Sequence, residues 1–149
     1  MTRSSRLFLF PDINVWVALT YDGHIHHAPA REWFERLPAS TRLFFSRFTQ
    51  LGLLRLLTAA AVMGEDRAKS QREAWKAYDR WLQDDRIEFL EEPAGVEAYF
   101  RTLTRSHHAS PKDWADSYLA AFCQASRLTL VTFDRAFGAK VKDATTLQP

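Results

Sequence analysis

Two short apolar runs, each closed by an aspartate, constrain the fold of this chain more than any other feature. Leu7-Phe8-Leu9-Phe10 reads as a buried strand that Pro11 ends; Asp12 follows, and Asn14-Val15-Trp16-Val17-Ala18-Leu19 reads as the next helix. The same order returns at Leu128-Thr129-Leu130-Val131-Thr132-Phe133, followed by Asp134 and Arg135. Short apolar runs bounded by turn residues suit the strands of a parallel sheet, which are buried on both faces. In open α/β sheets, ligands bind beyond the carboxyl ends of the strands. Two acids delivered to that edge by separate strands are therefore a candidate cation site. A third, Asp116, lies on the helix leading into the second run.

The sequence between these runs alternates in the same way. Ala30, Trp33, Phe34 and Leu37 fall on one helical stripe, and Leu43-Phe44-Phe45 is a short strand. Arg47 to Met63 is so apolar that it reads as one largely buried helix. Ala74, Trp75, Tyr78, Trp81 and Leu82 mark another amphipathic helix, Ile87-Glu88-Phe89-Leu90 a strand, and Val96, Tyr99, Phe100 and Leu103 a further helix. Pro111 to Ser126 reads as helical, with Ser110 at the N-cap and Pro111 at the first helical position. Ala144 to Leu147 reads as a last edge strand. This alternation predicts an α/β fold, a mainly parallel sheet with helices on its faces. A length of 149 residues favours one domain over residues 1–149.

Composition narrows the function classes. The net charge of +2 and a pI near 8.9 are compatible with a nucleic-acid ligand but do not argue for one alone. Cys123 is the single cysteine, so no internal disulfide is expected, and its apolar setting reads as an inert buried thiol. No segment has the order of a signal peptide, and no apolar run approaches the roughly 20 residues that span a bilayer. The expected location is the cytoplasm. Phosphate-loop, dinucleotide and nucleophile-elbow motifs are absent.

Each acid has a structural alternative. Asp12 suits a helix N-cap. Asp113 and Asp116 share a helix face; Asp113 fits a capping role, whereas Asp116 lies one turn further in, ahead of Tyr118-Leu119-Ala120-Ala121-Phe122, where a carboxylate needs a partner, solvent or a metal. Asp134 suits a turn. Carboxylates gathered from several elements suit Mg2+ or Mn2+ rather than zinc. His24, His26 and His27 lack clean ligand spacing and read as loop or packing residues, with His107 and His108 alike. Arg55, inside an apolar helix, either meets a carboxylate or phosphate or extends its stem to the surface.

Four segments in order resemble the PIN-domain ribonucleases, and most of all the VapC toxins of bacterial type II toxin–antitoxin pairs. They are Pro11-Asp12-Ile13-Asn14-Val15-Trp16-Val17-Ala18-Leu19, Thr49-Gln50-Leu51-Gly52-Leu53-Leu54-Arg55-Leu56-Leu57-Thr58, Asp116-Ser117-Tyr118-Leu119-Ala120-Ala121 and Val131-Thr132-Phe133-Asp134-Arg135-Ala136-Phe137. The resemblance implies a three-layer α/β/α domain with an acidic cluster at the sheet's carboxyl edge, and metal-dependent RNA cleavage with Mg2+ or Mn2+. Asp12, Asp116 and Asp134 match the family's acids and are the implied catalytic and metal-binding residues, with Asp113 as a further ligand candidate. Asn14, Arg55 and Arg135 are the substrate-side candidates. The resemblance also implies a homodimer and a small antitoxin that covers the acidic edge. One departure stands out: aligning Ser46 and Thr49 with the family pattern puts Gly52 where many members carry a glutamate. Gln50 or Asp113 would then supply the missing oxygen. Two competing readings are a PIN-like module that binds RNA or protein without cutting, and a phosphoacceptor receiver. The second normally needs paired acids after its first strand, and only Asp12 stands there.

Overall fold

The computed structural model describes residues 6–149. Five strands, β1 (Phe8–Pro11), β2 (Arg42–Phe45), β3 (Ile87–Phe89), β4 (Thr129–Thr132) and β5 (Thr145–Thr146), form one parallel sheet in the order β3-β2-β1-β4-β5. Eight helices are described: α1 (Ile13–Thr20), α2 (His27–Glu35), α3 (Arg47–Leu57), α4 (Ala60–Met63), α5 (Gln71–Leu82), α6 (Val96–Leu103), α7 (Asp113–Ser126) and α8 (Arg135–Lys140). The predicted α/β architecture is the observed one. No helix among the described residues is long and apolar enough to cross a membrane.

Strand periodicity sorts the core into two layers. Leu9, Leu43, Phe45 and Val131 point to one face and join Val15, Trp16, Leu53, Leu57 and Tyr78 of α1, α3 and α5. Phe10, Phe44 and Leu130 point to the other face and meet Leu119, Phe122 and Cys123 of α7 and Phe137 of α8. On the first face the Trp16 ring stacks on Phe45 at 4.0 Å between centroids. Val15 to Leu19 are all buried, so α1 is enclosed around its whole circumference. On the second face α6 lies outside α7, with Phe100 edge-on to Trp114 and Tyr118.

The structure corrects several boundaries. Pro11 belongs to β1, opposite Val131 of β4. Register with β2 stops at Leu9, so the N–H that proline lacks falls where no ladder partner stands. The single helix expected over 47–63 is two helices. The Thr58 hydroxyl donates to the carbonyl oxygens of Leu54 and Arg55, each at 3.0 Å, taking up the last-turn acceptors, and Ala59 turns extended before α4. Nor is the segment largely buried: Leu51 is 61% exposed, because α3 has more apolar circumference than the sheet and α5 can cover. At α7, Ser110 is not the N-cap. Its hydroxyl donates to Asp113 Oδ2 instead of accepting a free N–H, residues 111–112 form a turn, and the helix begins at Asp113. The last two strands, predicted over 128–133 and 144–147, are each one residue shorter at both ends, and α8 has no counterpart in the sequence reading.

Candidate active site

The strand order reverses direction between β1 and β4, because β2 and β3 extend the sheet one way from β1 and β4 and β5 the other. Such a switch point opens a crevice beyond the strand ends. Asp12 and Asp134 stand at this crevice, one after each central strand, and the first turn of α7 adds Asp116. The Asp12 N–H donates to the Val131 carbonyl at 2.8 Å, which fixes the first acid to the seam.

Asp12 is held through both of its carboxylate oxygens. Its Oδ1 accepts the Ile13 N–H at 2.7 Å as the N-cap of α1, and its Oδ2 accepts the Thr132 hydroxyl at 3.0 Å. Thr132 is fully buried and ties the site together. Besides donating to Asp12, its oxygen accepts from Asn14 Nδ2 at 3.3 Å and from the Asp134 N–H at 3.0 Å. The Phe133 N–H donates to Asn14 Oδ1 at 3.4 Å. Asp134 Oδ1 caps α8 by accepting the Phe137 N–H at 3.0 Å. The sequence reading passed over Thr132. Its only signal was a hydroxyl residue two positions before Asp134, and its partners meet only because β1 and β4 are neighbours.

The acids feel one another. Burial, followed by the charges of Asp116 and Asp134, pushes the Asp12 carboxyl above its ordinary value despite its two hydrogen bonds. Burial and then Asp134 push Asp116 up, opposed by the Lys140 ammonium. Asp113 lies at the rim, held low by the Ser110 hydroxyl and then by Lys140, whose Nζ is 3.7 Å away. Buried Cys123 is close enough to feel Asp12; burial and that charge hold its thiol well above the ordinary range. No three His, Cys, Asp or Glu side chains among the described residues form a finished metal cage. The arrangement is instead an acidic bowl of oxygen donors with an uncompensated negative field. That donor set fits Mg2+ or Mn2+, which bind through one or two carboxylates and keep several waters and substrate phosphate oxygens.

The other sequence candidates fall in different places. Both ends of the Asn14 amide are engaged, one with the Thr132 hydroxyl and the other with the Phe133 N–H, so Asn14 positions the crevice wall. Arg135 donates to Gln148 Oε1 at 3.1 Å. Arg55 is not gathered with the acids: it lines a cavity between α3 and α5 with Leu51 and Trp75. Gln50 accepts from Arg47 at 2.7 Å. Gly52 faces α1. A Cβ built on it would overlap Ile13 Cδ1, so Ile13, the residue after Asp12, fills the space that a larger residue 52 would need. Among the histidines, His26 stacks on Phe133 at 4.8 Å, His27 Nδ1 meets the Ala18 carbonyl at 2.7 Å, and His24 Nδ1 accepts the His26 N–H at 3.0 Å.

Comparison with known proteins agrees with this geometry. The PIN domain family profile matches residues 9–142. Ribonuclease VapC41 of Mycobacterium tuberculosis is 43% identical over 132 residues, covering 87% of this chain and 90% of that protein. Ribonuclease VapC38 of the same organism is 30% identical over 131 residues, 83% of this chain and 82% of that one. Among solved structures, VapBC2 of Rickettsia felis, bound to a promoter DNA fragment, superposes with a TM-score of 0.67 at 16% identity, covering 94% of this chain and 98% of that chain. M. tuberculosis VapC20, a sarcin-ricin loop cleaving toxin, gives 0.63 at 19% identity over 88% and 93% of the two chains. At such identities the structural likeness speaks for the fold alone. Together with the residues matched by the family profile and the curated relatives, it places this chain in the PIN domain family.

Proposed function

We propose that this chain is a metal-dependent endoribonuclease, the toxin of a VapBC-type pair, that hydrolyses RNA phosphodiester bonds at the β1/β4 crevice. The observation that carries the reading is the placement of Asp12, Asp116 and Asp134, from three separate elements, at the switch point of a PIN fold, near enough to act on one another's carboxyls. The identity shared with two named ribonucleases supports it. One PIN domain accounts for residues 1–149, working in the cytoplasm as a homodimer, with a cognate antitoxin covering the acidic edge.

Asp12, Asp116 and Asp134 would hold Mg2+ or Mn2+, with Asp113 within reach at the rim. When bound, such an ion lowers the pKa of a water and neutralises charge on the scissile phosphate. The protein's own part is positional and electrostatic. The Ile13 N–H and the Thr132 hydroxyl each hydrogen-bond one oxygen of the Asp12 carboxylate, which restrains it before any ion binds. Asp134 has one oxygen committed to capping α8, and its second makes no hydrogen bond among the described residues, which leaves it to orient a water. Lys140 partly offsets the charge on Asp113 and Asp116 at the rim of the cluster.

One observation favours the alternative, a PIN-like module that binds RNA or protein without cutting: Ile13 occupies the place beside Gly52 where a fourth acid would sit. Purified protein freed of any partner, incubated with total RNA with and without Mg2+ or Mn2+, separates the two. Metal-dependent fragments that fall at least about 100-fold with Asp116→Ala are expected, the scale of losing a charge-stabilising group. Absence of cleavage by folded protein under any metal would establish the binding module instead.

A further inference from the structure

The mechanism leaves one strongly charged feature unused. Between α7 and α8 lies a cavity of about 540 Å3, with Ala120 and Cys123 in its buried part. Arg127, Lys140 and Lys142 line it, against Asp143 as the one carboxylate. Arg127 and Lys142 stand in no ion pair among the described residues, and Lys140 reaches only Asp113, at 3.7 Å. The groove therefore gathers two cations outside any ion pair among the described residues, and a third, Lys140, that faces the acidic rim.

Backbone conformation points to the same place. The two described non-glycine residues with left-handed backbone, Arg127 at φ 57° and Asp143 at φ 61°, both line this cavity. Aspartate visits that region at little cost, but arginine does not. Arg127 ends α7 at the position where glycine is the usual, unstrained choice. A cation kept there against its backbone preference is the kind of local strain that collects at functional sites.

One side chain links the groove to the rim of the acidic crevice. Lys140 belongs to both, lining the cavity while its ammonium faces Asp113. A polyanion cut at the acid cluster is repelled there unless its flanking phosphates meet cations nearby, and each neutralised phosphate releases condensed counterions. We infer that the α7–α8 groove carries the phosphates flanking the scissile bond of the RNA strand, with Arg127, Lys140 and Lys142 as their contacts. This deepens the nuclease reading and rests on it.

The test pairs Arg127→Gly with Lys142→Gln. Glycine keeps the left-handed turn and removes the cation, so the variant folds; its thermal unfolding is checked against wild type. Binding of a fluorescein-labelled single-stranded RNA of mixed sequence is followed by anisotropy in EDTA at several salt concentrations, and cleavage kinetics are measured with Mn2+. Removing two phosphate contacts should flatten the slope of log K against log salt by about 1.4. It should also raise KM on the order of tenfold, with kcat changed less than about twofold. The matched charge change on the opposite face of the sheet, Arg72→Gln with Lys76→Gln on α5, should leave both unaltered. An unchanged salt slope and KM in the groove variant overturn the inference, as does an equal effect from the α5 pair. Equal displacement of the RNA by poly-glutamate would also overturn it and mark the groove as a site for acidic protein. Because binding is read in EDTA, wild-type protein that binds RNA through the groove but never cuts it defeats the nuclease reading while leaving the groove assignment standing.

Discussion

The two faces of the sheet do different work. On the face covered by α1, α3 and α5, apolar side chains close on one another around the Trp16–Phe45 stack, and the helix after β1 is buried on every side. On the face covered by α7 and α8 the apolar layer is thinner, and helix termini, carboxylates and cations share the remaining space. The lesson is a division of labour across a single sheet. One face supplies rigidity and the other accepts uncompensated charge, and β1 and β4 transmit the first to the second because each strand packs on both. Asp12 shows this directly: it caps the most enclosed helix of the first face while belonging to the cluster that faces α7.

The largest effect that could break this comparison is Trp16→Ala. Truncating a fully buried Trp should cost about 3–5 kcal/mol in urea unfolding; a loss under about 1 kcal/mol would mean that the first face is not the stabilising one. Next comes the seam between the faces. Thr132→Val keeps the shape but removes the hydroxyl shared by Asp12, Asn14 and Asp134, which should cost about 1–3 kcal/mol. It should lower cleavage by more than the drop in unfolding midpoint explains; a stability loss with full activity would show that Thr132 only holds strands together. A third variant sharpens the role of Ile13. Gly52→Glu in an Ile13→Ala background should tighten Mn2+ binding on the order of tenfold over Ile13→Ala alone, since an added carboxylate raises the ligand charge. Calorimetric titration that shows no gain would mean residue 52 does not face the metal.

The smallest effect tests the first face at its edge, where α5 meets β3. Arg86 holds the Asp84 carboxyl below its ordinary value through a 2.8 Å ion pair. A carboxyl lowered by folding contributes stability above the ordinary carboxylate pKa, and that contribution fades as pH falls through the lowered value. Asp84→Asn should therefore lose less than about 1 kcal/mol at neutral pH, shrinking toward nothing in acid. A stability difference that grows on acidification would reverse the assignment.

Legibility in the sequence followed the length scale of the cause. The strands were readable because Leu9, Phe10, Leu43, Phe44 and Phe45 face two buried layers and carry no polar residue to confuse the pattern. That Asp12 and Asp134 lie on one edge was readable because a parallel sheet delivers every strand's carboxyl end to the same side. The break at Thr58 was not, since it depends on which carbonyl a single hydroxyl chooses. Nor was α8, whose six residues include Gly138 and whose start is set by the Asp134 cap. The placement of Arg55 away from the acids, the filling of the space at Gly52 by Ile13, and the hub at Thr132 all arise from contacts between segments distant in the chain. No local pattern encodes them.

That distance has a consequence for how the protein is made. The bond from Thr132 to Asp12 closes a loop of 120 residues, and it exists only once β4 has slotted in beside β1. Synthesis delivers β1, β2 and β3 first, and contacts between remote segments form late because closing long loops costs entropy. A nascent chain halted before α7 emerges from the ribosome carries Asp12 alone, without Asp116, Asp134 or the hydroxyl that orients it. The acids are thus brought together only after α7, β4 and α8 have been made, and a chain interrupted before them holds the first acid without its partners.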